Sequence, residues 1–255
     1  MNNNDNEYLI EVLLLKKWLS RKYINKKVYN SIIPLNIYQT WHTKELPHNM
    51  SIHSQLIKKN NPAFNYFLFD DDDCREFIKN NFSDDVLNAF DSLIPGAYKA
   101  DLWRYCILYK NGGIYLDIKY TFVNNFKFIN LTEKEHLVMD IGNNGIYNAF
   151  MVCLPGNELL LRAINKIVEN VNNKYYGDNF LDPTGPIMLY KIITNYEKCN
   201  MIDMKHNHHT KLGNKYIFFN TILILESYNN FSYEYNNNKK TEHYSLLWNN
   251  KNIYK

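Results

Sequence analysis

From residue 33 onward the chain alternates between short runs that read as strands and longer runs that read as helices. "LNIYQTW" predicts a strand, the segment around "SIHSQLIKKN" a helix, and "FNYFLF" a second strand that enters the helix "DDDDCREFIKNN". A helix over 84–93 is stopped by Pro95, and one over 97–110 by Gly112-Gly113, after which "IYLDI" predicts a strand. Shorter strands are expected at "HLVMDI" and "YNAFMVC", helices near 157–172 and 185–195, then strands at "YIFFN" and "ILILE". Alternation of this kind predicts an α/β fold with an open, mostly parallel sheet flanked by helices. Ligands of such sheets bind beyond the carboxyl ends of the strands, which is where Asp117 falls. No internal repeat interrupts the pattern.

Residues 33–255 are long enough for one α/β domain, and residues 1–32 are expected to form a separate N-terminal segment. Within that segment, residues 8–24 set Leu9, Val12, Leu13, Trp18 and Leu19 among Lys16, Lys17, Arg21 and Lys22, the pattern of a basic amphipathic helix. Such a helix docks on its own domain or, as a lesser alternative, makes peripheral membrane contact through residues 8–27. Its apolar run is broken by Glu11 and shows no signal-peptide pattern, and no stretch approaches the ~20 apolar residues of a spanning helix. A net charge of +3 is too small to point to a nucleic-acid partner. Cys74, Cys106, Cys153 and Cys199 form no C-x-x-C pair, so a reducing, cytoplasmic setting and a soluble chain are expected. Abundant Asn, Lys, Ile and Tyr reflect an AT-rich genome, and the "NNNK" run at Asn236 reads as a loop.

Three clusters of polar residues have to be explained. Asp70 to Asp73 open a predicted helix, where carboxylates cap free N–H groups and favour the helix dipole; capping is preferred over metal binding. "KHNHH", with His206, His208 and His209, lacks suitably spaced cysteine and reads as a solvated loop. "AYKADLWRYCILYKNGGIYLDIKY", Ala97 to Tyr120, is the most informative. Its helix is apolar or aromatic nearly all round except for Asp101 and Arg104, and buried charges need partners. At i, i+3 the two can pair with each other, or they can face a cleft, Asp101 accepting from a ligand hydroxyl and Arg104 reaching a phosphate.

This segment resembles the signature of glycosyltransferase family 32, the D-x-D group that includes fungal initiating mannosyltransferases, and is similar to the core of the clostridial glucosylating toxins. The resemblance extends from "IPLNIYQTW" through "NPAFNYFLFDDDDCREFI", "IYNAFMVCLPGNELL" and "DPTGPIML" to "HYSLLW", roughly residues 33–248 in family order. It implies a GT-A, Rossmann-like fold, a nucleotide diphosphate sugar as donor, a glycan or other hydroxyl acceptor, and transfer with retention. By position, Tyr38, Gln39, Thr40 and Trp41 would line the nucleoside pocket, and Asp101 and Arg104 would contact donor nucleotide and sugar. Asn148 would approach the sugar, Asp117 would be the first acid of D-x-D, and His243 and Trp248 would close over the diphosphate.

In D-x-D motifs two carboxylates converge on one spot because residues i and i+2 of an extended segment share a face, and Mg²⁺ or Mn²⁺ then bridges them to the diphosphate. Here the second acid is replaced by Lys119. Three outcomes follow. The ammonium compensates the diphosphate without metal, or Asp117 and His243 still hold Mn²⁺ or Mg²⁺ with Lys119 aside, or catalysis is lost and the fold only binds a nucleotide sugar or glycan.

Overall fold

The computed structural model describes residues 13, 17, 18, 20–208 and 214–255. The first sheet begins with β1 (Asn36–Thr40) and β2 (Asn65–Phe69), joined in parallel by the helix α1 (His48–Asn60). Three helices follow, α2 (Asp71–Asn81), α3 (Asp84–Ser92) and α4 (Gly96–Asn111), and lead into β3 (Gly113–Leu116), which lies parallel to β1. β6 (Phe150–Cys153) completes the order β2-β1-β3-β6, antiparallel to β3. This is the expected Rossmann-like α/β arrangement, a mostly parallel sheet with helices between its strands.

A second sheet packs beside it. Its order is β4-β9-β8-β7-β5, from β4 (Tyr120–Phe122), β5 (Leu137–Met139), β7 (Ile202–His208), β8 (Lys215–Phe219) and β9 (Ile222–Ser227). Only β5 and β7 pair in parallel here, so parallel pairing is concentrated in the first sheet and the second is largely antiparallel. The hairpin β8–β9 is too tightly connected to do otherwise, because parallel neighbours require a long crossover. The helices α5 (Glu158–Asn172), α6 (Pro186–Ile192) and α7 (Asn195–Met201) flank the sheets, and α8 (Phe231–Asn238) and α9 (Tyr244–Asn249) close the C-terminal end.

α4 is the hub of the core. Nine of its residues are buried, Asp101 and Arg104 among them, so it has no solvated face. It stops at Gly112, whose φ of +61° suits glycine and where a Cβ would lie 2.6 Å from the Pro155 ring. At Gly113, φ +112°, a Cβ would lie 2.7 Å from the Asn36 carbonyl oxygen, so β3 can approach β1 only without a side chain there.

Several local expectations resolve differently. Asp70 and Asp73 exchange side chain to backbone hydrogen bonds of 2.9 and 3.1 Å, a capping box, as the capping reading predicts. The basic helix expected over 8–24 is helical at Leu13, Lys17 and Trp18, whereas residues 21–24 are not helical, and the Tyr23 N–H donates to Asn124 O at 2.8 Å. Residues 1–12, 14–16 and 19 lie outside the described residues. Trp18 packs edge-on against Phe218, 5.0 Å between ring centroids, and Tyr23 against Phe126, so these two described residues dock on the domain. The "NNNK" run is not a loop at its start: Asn236 to Asn238 are the last turn of α8. "KHNHH" is not a solvated loop either, since Lys205 to His208 belong to β7 and His206 is buried; His209 lies outside the described residues. Among the described residues no helix is long and apolar enough to cross a membrane.

Candidate active site

The site begins with two buried charges on α4. The Arg104 guanidinium donates from Nε to Ala100 O (3.1 Å) and from Nη1 to Asn148 O (2.7 Å), and lies over the Tyr115 ring at 4.3 Å. It stands 3.3 Å from Asp101 Oδ1 and 3.4 Å from Asp117 Oδ1, so the i, i+3 pair forms and extends to the strand end. Asp101 accepts from Asn148 Nδ2 at 2.8 Å and from Thr184 Oγ1 at 2.7 Å. Burial lifts the Asp101 pKa, against the pull of Arg104, Thr184 and Asn148. Asn148 also donates to the Tyr105 hydroxyl at 2.6 Å, which fixes its amide.

Asp117 follows the last residue of β3, and its surroundings explain the lysine two positions on. Asp117 Oδ1 accepts from Tyr115 Oη at 2.8 Å, and its Oδ2 is paired with the Lys119 ammonium. The two side chains meet through a tight turn rather than the extended alternation expected for this motif: Tyr120 N–H donates to Asp117 O at 3.2 Å, and "IYLDI" ends as a strand at Leu116. Lys119 is buried, and its ammonium also lies over the rings of Tyr120 and Tyr147 at 5.3 and 5.4 Å. Burial opposes ionisation of both groups, but the Lys119 and Arg104 charges hold the Asp117 carboxyl below its ordinary range, and Asp117 holds Lys119 above its own.

Two cavities meet over this pair. The larger, about 610 Å³, is lined by Asp101, Asn148, Tyr147, Asp140, His206, Lys215 and His243. The smaller, about 230 Å³, is lined by Thr40, Trp41, Asp71, Lys99 and Lys240. Arg104, Asp117 and Lys119 line both, as do Phe231, Tyr235 and Tyr244 from the C-terminal segment. The floor of the cleft is therefore cationic and its cover aromatic. The cover is latched by Lys240 to Asp71 at 2.8 Å.

Of the residues expected at the site, Thr40, Trp41, Asp101, Arg104, Asp117, Lys119, Asn148 and His243 converge on the cleft. Tyr38, Gln39 and Trp248 do not line it. Tyr38 is stacked on Phe67 inside the sheet. Gln39, fully buried, donates to Leu116 O at 3.3 Å and accepts from Ser54 and Tyr66, so it supports the end of β3 instead of meeting a ligand. Trp248, expected to close over a diphosphate, donates from Nε1 to Tyr176 O at 2.7 Å and anchors α9. Tyr115, Tyr147, Thr184 and Lys215 were not singled out from the sequence. Tyr115 could have been found, because it is the i−2 neighbour of Asp117 on the same strand.

The residues present do not fit a divalent cation at Asp117. Both carboxylate oxygens already have protein partners, one of them the ammonium that stands in place of the second acid. The proposed second ligand, His243, uses Nδ1 at the start of α9 with Ser245, 2.7 Å from its hydroxyl. Among the described residues no group of three His, Cys, Asp or Glu side chains is arranged to hold a metal.

Residues 47–138 match the family described as glycosyltransferase sugar-binding region containing DXD motif. The chain is 30% identical over 178 residues to inositol phosphoceramide mannosyltransferase 3 of Schizosaccharomyces pombe, covering 68% of this chain and 49% of that protein. It is 27% identical over 194 residues to an uncharacterised glycosyltransferase of Acanthamoeba polyphaga mimivirus, covering 72% of this chain and 76% of that protein. It spans about half the length of the first of these relatives. Among solved structures, the PaToxG glycosyltransferase superposes with a TM-score of 0.49 at 17% identity, covering 62% of this chain and 67% of that one. The matched region, which contains Asp101, Arg104 and Asp117, makes this part of the chain similar to the glycosyltransferases with a DXD-type sugar-binding region.

Proposed function

We propose that the cleft binds a nucleotide diphosphate sugar and transfers its hexose, with retention, to a hydroxyl of a glycan or other acceptor. The observation that carries this reading is the junction of the two cavities at Arg104, Asp117 and Lys119. A donor laid across it puts its nucleoside in the smaller cavity beside Trp41, its diphosphate over the two cations and its hexose in the larger cavity. Named mannosyltransferases among the relatives make mannose the first hexose to try.

As the bond from the anomeric carbon to the diphosphate breaks, negative charge grows on the departing group. Lys119 and Arg104 are fixed there before the reaction and need no reorganisation to meet it. Asp101 orients Asn148 and Arg104, and no described residue donates to Asn148 Oδ1, which is left for a sugar hydroxyl. Phe231, Tyr235 and Tyr244 keep water from the reacting carbon. In this reading Lys119 does without the divalent cation, at the cost of one positive charge for two.

The test is release of nucleotide diphosphate from a panel of UDP- and GDP-sugars, with Mn²⁺ and again with excess chelator. Turnover that survives the chelator is expected. Absence of release with every donor overturns the enzyme reading and leaves a protein that binds a nucleotide sugar or glycan.

A further inference from the structure

One group in the larger cavity plays no part in handling a donor. His206, on β7, lines the cleft although its residue is only 9% exposed. Its Nδ1 lies 2.7 Å from Asp140 Oδ1. Asp140 is itself fixed, taking the Ile141 N–H at 2.8 Å on the same oxygen and giving its own N–H to Gly145 O. The imidazole lies flat on the Tyr147 ring, 3.7 Å between centroids and 9° between planes. Tyr147 in turn lies beside Lys119. The histidine therefore belongs to the same array as the altered motif.

The chemistry of the ring is set by this packing. A nitrogen facing a carboxylate carries the hydrogen, so Nε2 presents a lone pair. Nε2 is buried and has no hydrogen-bond partner. Burial, ahead of the opposing pull of Asp140, holds the imidazole below its ordinary pKa and so favours that neutral form. Buried acceptors without partners are rare because each forfeits the water it lost. An unpaired acceptor on a residue that lines the cleft calls for a hydroxyl.

We propose that Asp140 and His206 form the acceptor subsite, with His206 Nε2 taking the hydrogen bond of a sugar hydroxyl on the acceptor. The class of acceptor that fits is a carbohydrate: a polyol edge meets Nε2, and the adjoining ring faces of Tyr147 and His206 are already spent on each other, which leaves hydroxyl recognition over stacking. This rests on the donor assignment above, since it needs the transferred hexose to lie in the same cavity.

The experiment has two arms. In the first, wild type, His206→Phe and Asp140→Asn are given GDP-mannose or UDP-glucose with a pooled set of methyl glycosides of glucose, galactose and mannose, and transfer is measured relative to hydrolysis. His206→Phe removes the acceptor nitrogen, and Asp140→Asn offers Nδ1 a donor, turning Nε2 into an N–H. Both are expected to lower the ratio of transfer to hydrolysis by about 10- to 100-fold, the worth of one buried hydrogen bond. His206→Gln, which returns an acceptor oxygen near the Nε2 position, is expected to recover part of the ratio. An unchanged ratio in both His206→Phe and Asp140→Asn overturns the proposal. The second arm needs no turnover: the long-range ¹H–¹⁵N correlation of the His206 ring is followed in wild type while the glycosides are added. A shift of the Nε2 resonance is expected, and a resonance unmoved by all three glycosides overturns the subsite. Failure of every donor in the first arm with a shift in the second would sink the donor assignment, and with it the acceptor role, and leave Asp140 and His206 as a glycoside-binding site.

Discussion

Replacing Lys119 with Asp restores the acid that the family motif carries, and the structure predicts what that costs. In the wild type the ammonium is paired with Asp117 Oδ2 in a buried setting. A unit charge pair at ~4 Å and an effective dielectric of about 20 is worth roughly 4 kcal/mol. Lys119→Asp loses that attraction and adds a repulsion of the same order. Arg104, 3.4 Å from Asp117 Oδ1, offsets part of it, and Asp117 keeps 23% side-chain exposure, so water screens more. A net loss of about 2–4 kcal/mol remains, or roughly 5–15 °C in Tm for a domain of this size. A divalent cation reverses the sign, because two converging carboxylates make the site that one carboxylate and one ammonium cannot. Mn²⁺ at about 100 times its Kd returns roughly 2.7 kcal/mol. Thermal melts of both proteins in chelator and in Mn²⁺, with nucleotide diphosphate release measured in parallel, read these quantities. Wild type is expected to be indifferent to Mn²⁺, and the variant to be rescued by it. A wild type stabilised by Mn²⁺ and silenced by chelator would refute the reasoning, as would a variant that melts with the wild type in chelator.

Asp101→Asn exchanges a carboxylate that accepts two hydrogen bonds beside Arg104 for an amide with one acceptor, and a loss of about 2–4 kcal/mol is expected in urea unfolding together with loss of donor turnover; full activity at wild-type stability would contradict the site. Lys215 is brought down to about 8, first by the Lys119 charge and then by burial. Its folded pKa lies below the unfolded value of about 10.4, so between the two the unfolded chain binds more protons and this group makes stability rise with pH. The same amine should be the first acylated by limiting acetic anhydride at pH 8, as read by peptide mass spectrometry. Modification of exposed lysines ahead of it would show that the Lys119 field does not reach it.

The parallel half of the fold was legible because each of its strands and helices carries its own pattern and its own stop, such as Pro95 or Gly112-Gly113. The second sheet was less so. β4 is three residues long, and β7 reads as polar, yet its burial alternates: Met204 and His206 inward, Lys205 and Asn207 outward. Period-2 alternation with histidine counted as an inward residue would have found it. At the site, the pairing of Asp101 with Arg104 follows from helical spacing alone. Thr184, 83 residues from the Asp101 carboxylate it serves, cannot be read from spacing, because tertiary packing brings it there. Trp248 and Gln39 fall in family-like segments, but position in a segment does not say which way a side chain turns, and both turn toward protein. Asp117 and Lys119 meet as expected for a reason that was not: a turn, not a pleat.

That turn has a mechanical consequence. β3 ends at Leu116 in one sheet and β4 begins at Tyr120 in the other, so Asp117, Ile118 and Lys119 are the whole of the covalent joint between them at this point. Lys119 O also receives the Tyr228 N–H at 3.0 Å, just past the end of β9. A ligand gripping Asp117 and Lys119 together thus spans the seam like a rivet, and its hold is felt as resistance to the two sheets sliding past each other. The stiffness of this joint and the occupancy of the cleft are thereby coupled, readable as slowed amide exchange in β4, none of whose residues lines either cavity.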